Sequence, residues 1–222
     1  MQPLRHGYTN DIRGDGRVVV KRYEGPDAAV RRCRERTTLA TLQGRLAVPA
    51  LLGGAGSDEL RLAFVAGVHG QELIEAGMAG AVLRACGRTL RHIHHLDTAE
   101  IFPDQTDVLG GVLVHGDYGP NNVLVDPATL AITAVVDWEW AHPGDPVEDV
   151  AWCEWIIRMH HAAHVDRLSE FFDAYGLRPS WQQRRAAMLT RCQQLLDMGR
   201  RWSVEAAQVW QQRLQVTACW AE

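Results

Sequence analysis

Two Val-Leu-Val tripeptides, at 112–114 and 123–125, bracket the eight residues HGDYGPNN at 115–122. Each short apolar run bounded by turn signals reads as a buried strand. The Gly-Pro dipeptide between them marks a tight loop. The chain therefore brings two strands to either side of a loop that carries a carboxylate, Asp117, and an amide, Asn122. Groups that perform chemistry concentrate on loops held by a rigid base. A third strand, LAITAVVDW, closes on another carboxylate, Asp137. Three oxygen-bearing side chains thus lie at strand ends. Asn122 and Asp137 suit a hard cation such as Mg²⁺, which takes oxygen ligands, and Asp117 is then free to accept a proton.

The second constraint is a single lysine. Of the 23 basic residues every one is arginine except Lys21. A compact ammonium differs from a planar guanidinium in shape and hydration, which points to a local reason for the exception. Lys21 lies near the end of RVVVKRY (17 to 23), which reads as a strand entered from the turn RGDG. GPDAAVRRCRERTTLATLQG (25 to 44) follows, with Pro26 at the first helical position, an early acid and a closing glycine, and reads as one helix of about four turns. At about 100° per residue, Glu35 falls within about 40° of Leu39 and Leu42, on the apolar face. A carboxylate there needs a cation to offset its desolvation. The sequence predicts a Lys21–Glu35 pair, with a glutamate at the helix edge as the competing reading.

LRLAFVAGVHG (60 to 70) reads as a strand ending in a glycine-rich link, and the segment 71 to 97 as one long helix. The expected organisation is an N-terminal lobe over 1–66 and a helical C-terminal lobe over 67–222. DPVE (145 to 148) and SWQQ (180 to 183) carry helix-start signals, and helices are expected over 146–161, 163–175, 181–200 and 203–219. A net charge of -4 gives no basic footprint for nucleic acid. No run approaches the roughly 20 apolar residues of a membrane span, and the N-terminal residues lack the pattern of a secretory signal, so a cytoplasmic chain is expected. Five scattered cysteines without a CxxC pair argue against a disulfide framework or zinc ribbon and read as small core residues.

His115, Asp117 and Asn122 stand in the spacing HxDxxxxN, followed by Asp137 at a later strand end and preceded by Lys21 and Glu35. In this order the chain resembles the aminoglycoside phosphotransferase family, from VVVKRYEGPDAAVRRCRE through LAFVAGVHGQEL and HGDYGPNNVLVD to VVDWEWAHPGDPVEDVAW. The resemblance implies an α/β, two-lobed, protein-kinase-like fold. It implies transfer of the γ-phosphate of ATP or GTP, with Mg²⁺, to a hydroxyl of a small-molecule alcohol. Residue by residue it makes Asp117 the base, Asn122 and Asp137 the Mg²⁺ ligands, Lys21 the phosphate anchor and Glu35 its orienting partner. It also sets the backbone of Ala63 and Val65 against the adenine, and makes His115 a brace for the loop. Departures are a phosphate-covering loop, GYTNDIRGDG (7 to 16), without a GxGxxG pattern, a short helical tail after Asp149, and Asn121 where relatives often have glycine.

Other signals carry less. His160, His161 and His164 include an i, i+4 pair but no third metal ligand. The eight tryptophans, all in the last 85 residues, fit either a helical core or a pocket for a ring-bearing substrate. Asp145, Glu148, Asp149 and Glu154 could draw a cationic acceptor, although capping already explains the first two. The absence of an APE-type segment after Asp137 disfavours a protein substrate. Two rivals stay open: a catalytically silent nucleotide-binding protein, and a metal-dependent hydrolase with His115, Asp117, Asp137 and His142 as ligands.

Overall fold

Alternating apolar residues in the first third of the chain build an antiparallel sheet. The computed structural model describes residues 1–3, 10–54, 56–102 and 111–222. Strands β1 (Gln2–Pro3), β2 (Asp11–Gly14), β3 (Val18–Arg22), β4 (Leu51–Leu52) and β5 (Glu59–Ala63) stand in the order β1-β2-β3-β5-β4. β3 is central, and Lys21 pairs in register with Ile12 on one side and Leu60 on the other. The RGDG turn closes because Asp15 Oδ1 accepts the N–H of Arg17 (3.0 Å) and of Val18 (2.9 Å), while Gly16 takes a φ of 82°. Part of the loop expected over 7–16 is therefore strand β2, and residues 7–9 of it lie outside the described residues.

Helix α1 (Ala28–Leu42) packs one face on this sheet. It starts two residues after Pro26 because Asp27 adopts a left-handed conformation with φ 57°, so proline precedes the helix and does not open it. The buried face carries Arg31, Glu35, Thr38, Leu39 and Leu42, which agrees with the expected placement of Glu35. β5 ends at Ala63, and after a link β6 (Val68–His69) joins a different sheet with β8 (Val123–Val125) and β9 (Ile132–Val135). β7 (Val112–Val114) pairs instead with β10 (His142–Gly144).

The helix expected over 71–97 is interrupted. A four-residue α2 (Gly70–Leu73) runs into a widened turn at Ile74–Met78, where Gly77 sits at φ 87°, and α3 (Ala79–Ile93) begins beyond it. Glycine supplies that left-handed residue without steric cost, and the helical path breaks there. After the short α4 (Thr98–Ile101) the helical part comprises α5 (Val147–His160), α6 (Leu168–Tyr175), α7 (Trp181–Trp202) and α8 (Val204–Ala218). A 3-10 stretch at Ala162–Arg167 occupies the first turns of the helix expected from 163. Ser180 and Gln183 form the expected capping box at the start of α7. Asp145 plays the corresponding part ahead of α5, its Oδ1 accepting Val147 N–H while Glu148 Oε1 accepts Asp145 N–H, both at 2.9 Å.

One apolar core runs from Leu39, Leu60 and Leu62 through α3 to Phe171 and Tyr175; a second lies between α5 and α7 around Trp152, Trp155, Met188 and Cys192. Three cysteines are buried as expected, whereas Cys33 and Cys219 are exposed. The far end of α7 returns to the first lobe: Arg201 pairs with Asp27 at 2.7 Å, and the Trp202 ring lies 2.8 Å from where a Gly25 side chain would begin. No described helix is long and apolar enough to cross a membrane.

α3 and α6 touch most closely at Gly87, where an added Cβ would meet the Phe171 carbonyl oxygen at 2.3 Å. Gly87→Ala is expected to cost about 2 kcal/mol or more through overpacking against backbone. Gly80→Ala on the same helix meets only the end of the flexible Glu170 side chain and should be near neutral, because alanine also favours the helix by about 1 kcal/mol. Urea denaturation of the two variants separates the cases.

Candidate active site

β3, α1 and the turn after β9 converge on one buried ammonium. Lys21 Nζ donates to Glu35 Oε2 at 2.6 Å and to Asp137 Oδ1, and lies 3.6 Å from Glu139 Oε2. Glu35 also accepts the Tyr23 hydroxyl and, through Oε1, the Trp138 N–H at 3.3 Å. The expected Lys21–Glu35 pair is thus present, and Asp137 completes it. Asp137 reaches the lysine because it sits in the left-handed region at φ 69°, at the start of the 3-10 turn Trp138–Trp140. Burial works against the Lys21 ammonium, but the Asp137, Glu35 and Glu139 carboxylates outweigh it and hold its pKa well above the ordinary lysine value. Burial likewise opposes the Asp137 anion, and the adjacent Lys21 reverses the effect and lowers its pKa.

Glu139 and Arg31 extend the cluster. Arg31 Nη1 and Asn10 Nδ2 each donate to Glu139 Oε2 at 2.9 Å. Three carboxylates, Glu35, Asp137 and Glu139, therefore face two cations, Lys21 and Arg31. Among the described residues these three acids are the gathering with metal-ligand spacing, and Lys21 touches all of them. Burial pushes the Glu139 carboxyl up to about 7, whereas Lys21 keeps Asp137 ionised, and the Asp137 side chain keeps 29% of its surface while Glu35 and Glu139 keep 2% each.

The loop between β7 and β8 is braced from beneath. Asp149, near the start of α5, accepts His115 N–H at 2.7 Å and Gly116 N–H at 2.9 Å, and His94 Nε2 lies 3.3 Å away. His115 hydrogen-bonds Val136 O through Nε2 at 2.9 Å and accepts Asp117 N–H at Nδ1 at 3.2 Å. Both ring nitrogens are used, so His115 acts as a strut between the loop and the strand that leads to Asp137. Asp117 Oδ1 accepts Trp152 Nε1–H and Oδ2 accepts Asn122 Nδ2–H, each at 2.7 Å. Burial and the nearby Asp137 charge raise the Asp117 pKa; the Trp152 hydrogen bond and the Arg191 charge partly oppose this.

The Asn122 amide nitrogen is committed to Asp117, including its carbonyl at 2.8 Å, which leaves the side-chain oxygen as the donor end. Val136 N–H donates to Asn122 O at 2.9 Å, which ties Asn122 to the residue before Asp137, and an amide oxygen and a carboxylate are both of the oxygen type that Mg²⁺ takes. Ala63 and Val65 lie where β5 leaves the first sheet; the Ala63 N–H already donates to Ala50 O at 2.8 Å. The hydrolase ligand set does not assemble: His115 is fully used, and His142 is held by Trp140 O (2.9 Å) and Glu148 (3.1 Å). His160 packs edge-on to Trp155, and the three tail histidines do not form a ligand cluster among the described residues.

Sequence reasoning missed Glu139, Arg31 and Arg191, and the contacts that Asp149 and Trp152 make with the loop. Arg31 precedes Glu35 by one helical turn, so the periodicity that placed Glu35 also places Arg31. For Asp149 the sequence offers attraction of a cationic acceptor or helix-end electrostatics, and neither reading places it under the loop at His115 and Gly116.

Asp149 supplies the next test. Burial raises its pKa, yet His94 and the His115 N–H outweigh this and hold it below the ordinary carboxylate range. A depressed folded pKa contributes stability above the unfolded value, near about 3.9, that is lost as pH falls through the folded value. Asp149→Asn should cost about 2–4 kcal/mol at neutral pH. The gap from wild type should narrow as pH drops below about 4, and urea midpoints at the two pH values measure it.

Comparison with known proteins follows the same outline. The model of the phosphotransferase enzyme family (APH) matches residues 1–111 and 105–189. No curated protein matches in sequence. Among solved structures, the gentamicin complex of APH(2″)-IIa aligns at a TM-score of 0.72 with 14% identity, covering 96% of this chain and 90% of that one. Aminoglycoside phosphotransferase APH(3″)-Id from Streptomyces rimosus gives 0.64 with 16% identity, over 84% and 89%. Macrolide 2′-phosphotransferase MphH from Brachybacterium faecium gives 0.62 with 18% identity, over 100% and 92%. The fold is that of the aminoglycoside phosphotransferases, protein-kinase-like, with a sheet lobe and a helical lobe. The chain belongs to the APH phosphotransferase enzyme family.

Proposed function

We propose that this phosphotransferase moves the γ-phosphate of ATP or GTP to a hydroxyl of a small-molecule alcohol, with Asp117 as the base. Lys21, oriented by Glu35, holds the nucleotide phosphates. Asn122 and Asp137 are the residues that would hold Mg²⁺, which when bound would neutralise charge on the phosphate oxygens. The backbone of Ala63 and Val65 meets the adenine, Ala63 through its carbonyl, since its N–H is donated to Ala50. The observation that carries this reading is the pairing of Lys21 with both Glu35 and Asp137, beside a braced loop that presents Asp117 and Asn122 together. Phosphoryl transfer depends mainly on such positioning and charge neutralisation.

In the transfer the acceptor oxygen bonds to phosphorus while the bond from phosphorus to the bridging oxygen of the departing diphosphate breaks. The hydroxyl proton passes to Asp117, and the negative charge leaves with the diphosphate. Neutral donors, Trp152 and Asn122, hold both Asp117 oxygens in place without neutralising the group. Its raised pKa makes it a better proton acceptor than an exposed aspartate. The solved relatives are named for aminoglycosides and macrolides, so these head the acceptor panel, beside choline, sugars and other alcohols. An antibiotic acceptor would make resistance the biological role.

Asp117→Ala should lower transfer by about 10²–10⁴-fold while ATP binding persists. Product formation with wild type and variant, beside a nucleotide-binding titration, checks this; unchanged transfer in the variant removes Asp117 from the chemistry.

A further inference from the structure

The cavity that opens from Asp117 differs in charge from what the acids of the helical tail suggest. It encloses about 340 Å³, with Trp140, Trp152, Trp210, Arg191 and Arg213 among its walls and Asp117 as its acid. Asp149 is spent on the loop, and Glu154 on Arg184 (2.6 Å) and Arg158 (2.8 Å). Asp145 and Glu148 line a neighbouring cavity of about 410 Å³, where their carboxylates are tied to the start of α5 and to His142.

The arginines decide the matter. Six arginines stack over aromatic rings among the described residues: Arg31, Arg158, Arg178, Arg184, Arg191 and Arg213. The first four each also pair with a carboxylate, of Glu139, Glu154 or Glu222. Arg191 and Arg213 have no carboxylate within 4.0 Å among the described residues. Arg191 stands 4.9 Å over Trp140 and 5.9 Å over Trp152, and Arg213 4.6 Å over Trp210. Arg191 donates to Gln194 Oε1 at 3.2 Å, while its Nε is buried without a partner. Asp117 favours the Arg191 charge from within the same cavity but makes no ion pair with it, and both carboxylate oxygens accept from Trp152 and Asn122. Burial depresses the Arg191 pKa, the sign of a guanidinium held without full compensation.

A guanidinium that uses its face on a tryptophan keeps its edge N–H groups for an oxyanion, and its fork matches one bidentately. We propose, resting on the phosphotransfer reading, that the acceptor is an alcohol bearing a flat ring and an anionic oxygen group. Arg191 and Arg213 take the anion, the tryptophans take the ring, and the hydroxyl is left against Asp117. A polyamine would instead face two uncompensated arginines, a like-charge juxtaposition that disfavours binding.

Three probes share one benzyl alcohol and carry at the para position an anionic, a neutral or a cationic group: para-hydroxymethyl benzoate, its amide, and the matching benzylamine. With the full chain, Mg²⁺ and ATP, tryptophan fluorescence reads binding and phosphorus NMR reads transfer. The benzoate should exceed amide and amine by about tenfold or more in kcat/KM, mainly through KM. Arg191→Gln and Arg213→Gln should each erase most of that preference. Two variants on different helices guard against misfolding of one. A preference for the amine, or for gentamicin over the benzoate, overturns the inference and leaves phosphotransfer standing. So does a benzoate preference that survives both substitutions. Failure of the benzoate to bind overturns it as well, and ATP binding by the same preparation then decides whether the phosphotransfer reading survives.

Discussion

A lone buried ammonium holds the two halves of this protein in register. Lys21 reaches from the central strand to Glu35 on α1 and to Asp137 on the turn after β9, with Glu139 just beyond. Each group would be costly to bury alone, and removing one partner of such a set typically costs about 3–5 kcal/mol because the others are left unpaired. The cluster therefore fixes the strand, the helix and the Asp137 turn against one another. Asp137 is the one acid of the three that keeps an appreciable part of its side-chain surface.

The second fixed element is the loop from His115 to Asn122. Asp149 accepts two successive backbone N–H groups at its base, and His115 ties it to the strand that delivers Asp137. Trp152 and Asn122 then hold the two oxygens of Asp117. The proposed base and the proposed metal ligand beside it are in this way positioned before any substrate arrives, and such positioning is where phosphoryl transfer gains most of its rate. Trp152 belongs at once to the packed layer between α5 and α7 and to the wall of the cavity at Asp117, so core packing and Asp117 geometry are coupled.

Much of this was legible in the residues. Periodicity placed Glu35 on the buried face, composition singled out Lys21, and turn signals located Asp117, Asn122 and Asp137 at strand ends. What escaped was set by backbone conformation or by long-range partners. Gly77 breaks the helix expected over 71–97 by adopting φ 87°, a state that glycine permits but does not announce. Asp27 delays α1 by adopting a left-handed backbone, and its carboxylate serves Arg201, 174 residues away, and does not cap the helix. Glu139, between two tryptophans, gave no periodic signal because it lies on a single 3-10 turn. Nor does sequence show which carboxylates of the tail are consumed internally, as Asp149 and Glu154 are.

The measurement that reaches furthest is ATP binding by calorimetry with and without Mg²⁺, on wild type and on Asp137→Asn. If the ammonium cluster and Asp137 form the nucleotide phosphate site, Mg²⁺ should tighten ATP binding by about tenfold or more in wild type, and that gain should vanish in the variant. ATP affinity that is indifferent to Mg²⁺ in wild type, or a Mg²⁺ effect that persists without the Asp137 carboxylate, would contradict it.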